Sequence, residues 1–204
     1  MKSPKVITIK LSGVITPNRE ELRRQVEKGL SYFIDNDKLP QLQFDDYGKP
    51  YLLDNSNLVF SYAHSKTMLT LIVCASVFAV GIDTENINRL DEIIEISDQA
   101  FSKEELDTIK HKDMLFSWCL KEAAVKQLGK GFRDADPSAF TIMTEGDSYK
   151  LYLSGKALVN GYFKKKYVGD DLIVVSSNLL LENLVFSTIE QYIDTTNREI
   201  ANDR

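Results

Sequence analysis

The sequence predicts an α+β protein of two halves that meet near Gly81, each half built from one long helix and a few short strands. Two observations carry that expectation. Apolar residues recur at helical spacing in one long stretch of each half, while the segments between alternate with period two or run continuously apolar. No low-complexity linker separates the halves, so one compact body is expected.

The elements follow in order. Residues 6–11 are apolar and β-branched with polar Thr8 and Lys10 alternating, a strand pattern. After Gly13, the run Thr16, Pro17, Asn18 opens a helix, and Glu21 three residues after Asn18 makes a capping-box-like pattern. Leu22, Val26, Leu30, Phe33 and Ile34 then mark one helical face to residue 35. Residues 41–44 and 58–62 read as short strands amid turn-rich sequence, and 69–76 and 77–83 suit two adjacent buried strands. In the second half, 91–100 reads as a short helix. Ser102 with Glu105 forms a capping box before a helix to residue 110, and 113–128 is a long amphipathic helix stopped at Gly129. Segments 140–144, 150–153, 162–168 and 172–177 read as strands. Residues 178–204 are the least defined, with 190–200 a terminal helix or a frayed tail.

Composition narrows the class of function. With 204 residues, 43% apolar and 27% charged, the chain has the make-up of an ordinary globular protein rather than a disordered or fibrous one. The most apolar stretch, 58–82, is interrupted by His64, Ser65, Lys66 and Thr67 and lacks the ~20 unbroken apolar residues of a membrane span. The first residues lack the apolar core of a signal peptide, which favours the cytoplasm. Cys74 and Cys119 lie in apolar stretches without metal-ligand spacing and read as buried free thiols. A net charge of −5 argues against nucleic-acid binding, and Lys164, Lys165 and Lys166 read as a solvated strand edge.

The chemistry concentrates in two motifs. Gly81-Ile82-Asp83-Thr84-Glu85 ends an apolar run, and Asp83 and Glu85, two apart on a strand, project to one side. In Trp118-Cys119-Leu120-Lys121-Glu122-Ala123-Ala124-Val125-Lys126, Glu122 and Lys126 share a helix face one turn apart. If strand end and helix face meet, three hard oxygen donors converge beside a cation, a magnesium site with a phosphate partner. Taken singly, an Asp-x-Glu at a strand end is commonplace and the lysine-rich motif is a good exposed helix.

The order of motifs is more specific. Tyr47-Gly48-Lys49-Pro50 precedes Phe60-Ser61-Tyr62-Ala63-His64-Ser65, then Gly-Ile-Asp-Thr-Glu, then Phe101-Ser102-Lys103-Glu104-Glu105, then the Trp-x-x-Lys-Glu-Ala helix ending Gly129-Lys130-Gly131. In this order and spacing the chain resembles the 4'-phosphopantetheinyl transferases of the surfactin-synthetase-activating type, strongly from Tyr47 to Phe132 and more weakly to Asn178. The resemblance implies two pseudo-twofold-related α/β subdomains, each a small mostly antiparallel sheet packed on a long helix, with the active site between them. Residues 1–82 would form the subdomain on the adenosine and phosphate side of coenzyme A, and 83–204 the subdomain carrying magnesium and the catalytic helix.

The implied reaction moves the phosphopantetheine arm of coenzyme A to a serine of an apo acyl or peptidyl carrier protein and releases adenosine 3',5'-bisphosphate. By resemblance, Asp83, Glu85 and Glu122 are the magnesium ligands, Lys126 stands beside the diphosphate, and His64 touches the coenzyme phosphates with Ser65 following it. Lys49 and Pro50 lie along the adenosine end, although Tyr47-Gly48-Lys49-Pro50 is equally a turn sequence. Glu105 aligns with the family glutamate proposed as base, and is also the capping residue of its own helix; both roles stand. Glu122 is a further candidate base or water-orienting group. The chain departs from the family where Ala63 replaces the usual serine. It also has a short N-terminal third, where Arg19, Arg23 and Arg24 are candidate 3'-phosphate ligands or ordinary helix-face charges. A monomer is expected. The alternatives are a non-catalytic relative that binds coenzyme A or a carrier protein, and an unrelated magnesium phosphohydrolase, which has no reason to contain the Gly-Lys-Pro and His-Ser motifs.

Overall fold

A computed structural model describes residues 4–11, 18–34, 40–53, 57–133 and 135–189. The chain opens with β1 (Lys5–Lys10) and α1 (Arg19–Ser31), forms a hairpin of β2 (Leu42–Phe44) and β3 (Pro50–Leu52), and continues through β4 (Leu58–His64) and β5 (Met68–Ala75). Next come β6 (Val80–Asn86), the short helices α2 (Leu90–Glu95), α3 (Ser97–Ala100) and α4 (Lys103–Leu106), and the long α5 (Met114–Leu128). The strands β7 (Phe140–Glu145), β8 (Ser148–Leu153), β9 (Lys156–Val168) and β10 (Asp171–Ser177) follow, and β11 (Val185–Ile189) ends the described chain.

The strands form two sheets besides the small hairpin. The first has the order β11-β1-β5-β4 and the second β6-β10-β9-β8-β7. Pairing is antiparallel throughout except between β1 and β11. The alternation of strand side chains explains how they stack. On β5, Leu69, Leu71 and Val73 face α1, where they meet Val26 and Leu30. Met68, Ile72 and Cys74 face the other way and meet Ile173 and Val175 of β10. On β10 the intervening Leu172 and Val174 face α5, meeting Leu120 and Ala124. The layers are therefore helix, sheet, sheet, helix, with β5 packed on α1 and β10 packed on α5. Burial on both faces is why both strands read as continuous apolar runs although their pairing is antiparallel. Each fully buried Leu, Ile or Val contributes about 1.5–3 kcal/mol.

Polar ties register one sheet on the other. Thr70 and Thr84 share a hydrogen bond of 2.5 Å between β5 and β6, and Thr67 Oγ1 donates to Asp171 Oδ2 at 2.6 Å. Asn18 caps α1, its side chain accepting from Glu21 N at 2.8 Å. Thr16 and Pro17 lie outside the described residues.

Several elements differ from the sequence expectation. The strands expected at 69–76 and 77–83 are β5 and β6, but they belong to different sheets, because apolarity reports burial and not the hydrogen-bonding partner. The turn that separates them bonds Phe78 N to Ala75 O and Ser76 N to Asn57 O. The helix expected over 91–100 is two short helices divided at Ile96, and the one expected to reach 110 is the single turn of α4. α5 is not amphipathic; Met114, Leu115, Cys119, Leu120 and Ala123 to Val125 bury it nearly all round. The ill-defined 178–204 region contains β11, and the proposed helix at 190–200 lies outside the described residues. The division drawn at 82/83 falls inside β6, while β11 returns to pair with β1. Among the described residues no helix is long and apolar enough to cross a membrane.

α5 lies directly on β6 at Gly81. A Cβ there would sit 1.9 Å from Ala123 O and 2.6 Å from Gln127 N, both backbone atoms that cannot swing aside. Gly81→Ala is expected to force helix and strand apart and to destabilise by about 3 kcal/mol, at the upper end of overpacking costs. A urea-unfolding midpoint matching the parent protein would show that this contact is not tight.

Candidate active site

The close approach at Gly81 brings the strand carboxylates to the helix face. Asp83 is buried on β6, and Lys126 Nζ stands 2.7 Å from its Oδ1 and 3.5 Å from Glu122 Oε2. Burial opposes the charge of Lys126, but Asp83 and Glu122 outweigh it and hold the ammonium pKa above its ordinary range. Glu122 is pushed up chiefly by burial, reinforced by Asp83 and opposed by Lys126. The second oxygen of Asp83 is buried without a hydrogen-bond partner. Beside this carboxylate lies the buried thiol of Cys119. Burial first, then the charges of Asp83 and Glu85, raise its pKa well above normal.

Glu85 shares this neighbourhood but turns to other partners. Its Oε1 accepts from Arg89 Nη1 at 2.5 Å, and the Trp118 indole also donates to its carboxylate. Burial and then Asp83 raise its pKa, against those two partners. Among the described residues no three His, Cys, Asp or Glu side chains converge as a metal-holding group. The donor set nevertheless suits a hard cation. Asp83 has an orphaned oxygen and Glu122 stands on the same ammonium, and Mg²⁺ takes one or two protein carboxylates together with substrate phosphate and water.

From Asp83 and Lys126 a cleft of about 1290 Å³ runs between α1, the β2–β3 hairpin, β4 and the turn after α5. Cations outnumber anions on its walls, with Arg19, Arg23, Arg24, Lys49 and Arg133 against Glu20, Glu27 and Asp45, and His64 stands among them. Tyr62 lines the same wall; burial raises its pKa while the charges of Lys126, Arg19 and Arg23 oppose the rise, so cations from two helices surround one phenol. Lys49 is anchored by Asp45, whose Oδ1 accepts its backbone N–H at 2.8 Å. Its side chain lies over Gly129, the left-handed C-cap of α5 at φ +81°, where a Cβ would come within 2.9 Å of Lys49 Cδ. Pro50 also lines the cleft. Nδ1 of His64 meets Ser65 O at 3.4 Å; this is a donor's role, which leaves Nε2 for a ligand. Arg23 and Arg24 are partly engaged already, Arg23 with Leu42 O and Glu27, and Arg24 with Glu21.

Two expected site residues stand elsewhere. The Ser65 hydroxyl accepts from Thr67 N and Met68 N, both at 3.1 Å, and so staples the β4–β5 turn rather than facing the cleft. Glu105 is buried in the core against β7 and does not line the cleft. Its Oε2 accepts from Ser102 N at 2.7 Å and from Lys121 Nζ at 2.6 Å, and its Oε1 from Ile142 N at 3.0 Å. At 2% exposure and with both oxygens engaged, it is not placed to take a proton from a substrate. Sequence reasoning missed Arg133, which donates to Asp46 O at 2.7 Å and clasps the hairpin to the turn after α5. It also missed Arg89 as the partner of Glu85; their four-residue spacing was the available signal.

Comparison with known proteins fixes the family. Residues 79–174 match the model of the 4'-phosphopantetheinyl transferase superfamily, spanning both halves of the carboxylate–lysine cluster. The holo-[acyl-carrier-protein] synthase of Clostridium kluyveri is 35% identical over 91 residues, which are 40% of this chain and 68% of that protein. The chain belongs to the 4'-phosphopantetheinyl transferase superfamily. Among solved structures, the transferase is similar to a holo-(acyl-carrier-protein) synthase from Bacillus anthracis in complex with CoA (3',5'-ADP). That match has 13% identity and TM-score 0.36, and covers 48% of this chain and 93% of the other. The holo-ACP synthase of Plasmodium yoelii gives 19% identity and TM-score 0.35, covering 48% and 91%.

Removing the Glu105 carboxylate leaves a buried ammonium uncompensated in the core of the transferase. Glu105→Ala is expected to cost about 3–5 kcal/mol of stability. Chemical denaturation measures it, and a loss under 1 kcal/mol would mean that water reaches Lys121.

Proposed function

We propose that the transferase moves the 4'-phosphopantetheine arm of coenzyme A to a serine hydroxyl of an apo acyl or peptidyl carrier protein, with magnesium required. The observation that carries this reading is the Asp83–Lys126–Glu122 cluster at the closed end of a cation-lined cleft. A coenzyme diphosphate needs both parts: fixed positive charge along its length and carboxylates for a metal at the reacting phosphorus.

The serine oxygen attacks the β-phosphorus, a P–O bond forms, and the bond from that phosphorus to the bridging oxygen breaks. Adenosine 3',5'-bisphosphate leaves with the electron pair. Lys126 neutralises diphosphate charge from a side chain still 31% exposed toward the cleft. His64, Lys49, Arg19 and Arg133 hold the adenosine and phosphate portion in line, which supplies the positioning on which phosphoryl transfer depends. The serine proton passes to Glu122, directly or through a water it orients. Magnesium, held by Asp83 and Glu122 with Glu85 in reserve behind Arg89, would polarise the phosphorus and stabilise the leaving phosphate. Ala63 supplies no hydroxyl, so that phosphate contact falls to the neighbouring residues. We place the activity in the cytoplasm and in a monomer, since one chain supplies both walls of the cleft.

Mass spectrometry of an apo carrier protein incubated with coenzyme A and Mg²⁺ tests the reading. A phosphopantetheine mass increase supports it. No change points to a binding protein, and coenzyme breakdown without modification to a hydrolase. Asp83→Ala and Glu122→Ala are each expected to lower transfer at least a hundredfold while leaving the melting curve close to that of the parent, because clustered carboxylates repel in the free protein. Near-parental turnover in either variant at saturating Mg²⁺ would remove the cluster from the mechanism.

The carrier protein needs a docking surface of its own. Lys103, Lys110, His111 and Lys112 are exposed beside α4, whereas the neighbouring Phe101 is buried at 1% exposure and offers no apolar contact there. Lys110→Glu with Lys112→Glu is expected to raise the carrier KM severalfold at low salt and leave the coenzyme KM nearly constant. An unmoved carrier KM would place the docking surface elsewhere.

A further inference from the structure

Among the described residues, the charge with least exposure takes no part in the mechanism above. Lys121 is 0% exposed on α5, next in sequence to Glu122. Its ammonium meets four oxygens: Glu105 Oε2 at 2.6 Å, Ala100 O and Phe140 O at 2.8 Å each, and Pro137 O at 3.2 Å. The Phe101 ring lies 5.1 Å away. These acceptors come from the end of α3, from α4 and from the segment entering β7, so one atom ties α5 to three other parts of the fold.

We propose that the buried Lys121–Glu105 pair is a positioning device, fixing the rotation of α5 about its own axis and thereby aiming Glu122 and Lys126 at Asp83. The argument starts from what the rest of α5 lacks. A helix with one apolar stripe is oriented by that stripe, but α5 is buried nearly all round, with small residues such as Ala123 and Ala124 among its contacts. Apolar burial is non-directional, so these contacts hold the helix in place without strongly selecting its rotation. Gly81 sets how closely helix and strand approach. The ammonium of Lys121, with acceptors fixed in direction by three backbone carbonyls and a carboxylate itself pinned by two backbone N–H groups, sets the angle.

The lever is short. Successive helical residues are about 100° apart and a side-chain tip stands some 6–7 Å from the axis, so a rotation of roughly 10° moves the Glu122 and Lys126 head groups by about 1 Å. Misplacement of that size can cost on the order of a hundredfold in rate. A buried ion pair is seldom more stabilising than apolar residues of equal volume, so directionality, rather than net stability, is what this pair adds. The consequence for rate rests on the transfer reaction proposed above; the consequence for geometry does not.

Lys121→Met with Glu105→Gln, and Lys121→Met with Glu105→Leu, remove the pair without leaving a buried charge. Glu105→Gln alone keeps every side-chain length. Each is assayed for thermal unfolding, kcat and coenzyme KM, and the best-behaved double variant is crystallised beside the parent protein. The expected result is a folded protein with kcat lowered ten- to a hundredfold. The coenzyme KM should change less than kcat, because Lys49, His64 and Arg19 stand on other elements and of the coenzyme contacts on α5 only Lys126 moves. In the crystal, Lys126 should be displaced from Asp83. A folded double variant with parental kcat, or one whose Lys126 Nζ still lies 2.7 Å from Asp83 Oδ1, overturns the proposal. Failure of all three variants to fold does so as well, by showing a purely structural pair. If the parent protein itself transfers nothing, the functional reading falls and the crystallographic comparison still decides the positioning role.

Discussion

The site depends on backbone-to-backbone contact between β6 and α5 at Gly81. With no side chain between them, strand and helix approach until a Cβ would overlap Ala123 O. Asp83, two residues farther along the strand, then reaches Lys126 with side chains of ordinary length. The same contact accounts for the composition of α5. A helix pressed on a sheet on one side and covered by α2, α3 and the segment entering β7 on the other has little surface left for water. Its Ala123, Ala124 and Gly-facing turn are therefore small, and its charges must be either paired in the core, as Lys121 is, or directed into the cleft, as Lys126 is.

Electrostatics of the site run against those of the whole molecule. The chain carries a net charge of −5, yet the cleft gathers arginines and lysines from α1, the hairpin and the turn after α5. Such focusing draws an anionic ligand into a protein that is itself acidic. At the closed end the sign reverses. Asp83, Glu85 and Glu122 face Lys126 and Arg89, three carboxylates against two cations. Burial chiefly, and the charge of Asp83 after it, raises Glu85 and Glu122, and the second Asp83 oxygen is left without a hydrogen-bond partner. A divalent cation arriving with phosphate oxygens would relieve the imbalance.

What the sequence disclosed follows from which physical signals are local. Caps are local: Asn18 with α1, Ser102 with α4 and Gly129 with α5 were legible because each depends on residues within one turn. Helical and strand periodicities were legible for the same reason. Pairing partners were not, since β5 and β6 carry similar apolar runs but belong to different sheets, and β11 joins β1 across the whole chain. At the site, spacing placed Asp83, Glu122 and Lys126 on facing sides of strand and helix. The long-range competitors were invisible: Arg89 and Trp118 drawing Glu85 aside, Thr67 and Met68 occupying the Ser65 hydroxyl, and Arg133 clasping the hairpin. An amphipathic α5 was the wrong expectation because periodicity reports one buried face and says nothing of a second layer.

Glu105 shows why a motif position can be indispensable and still not be chemical. A general base needs a lone pair within reach of the substrate proton and a place for that proton to go afterwards. Glu105 offers neither, with two backbone N–H groups and an ammonium on its two oxygens and 2% of its surface exposed. Its substitution would lower activity all the same, through the fold and through the angle of α5, so loss of activity alone does not distinguish a base from a brace. Stability distinguishes them. A base in an open cleft can be removed at little cost to folding, as with any carboxylate crowded by its neighbours, whereas a brace takes the buried lysine's compensation with it. Hydrogen bonds join Ser102, Glu105 and Lys121 into one buried unit. In the function proposed above, the proton-accepting role is therefore given to Glu122, the carboxylate one helical turn from Lys126 and 3.5 Å from its ammonium.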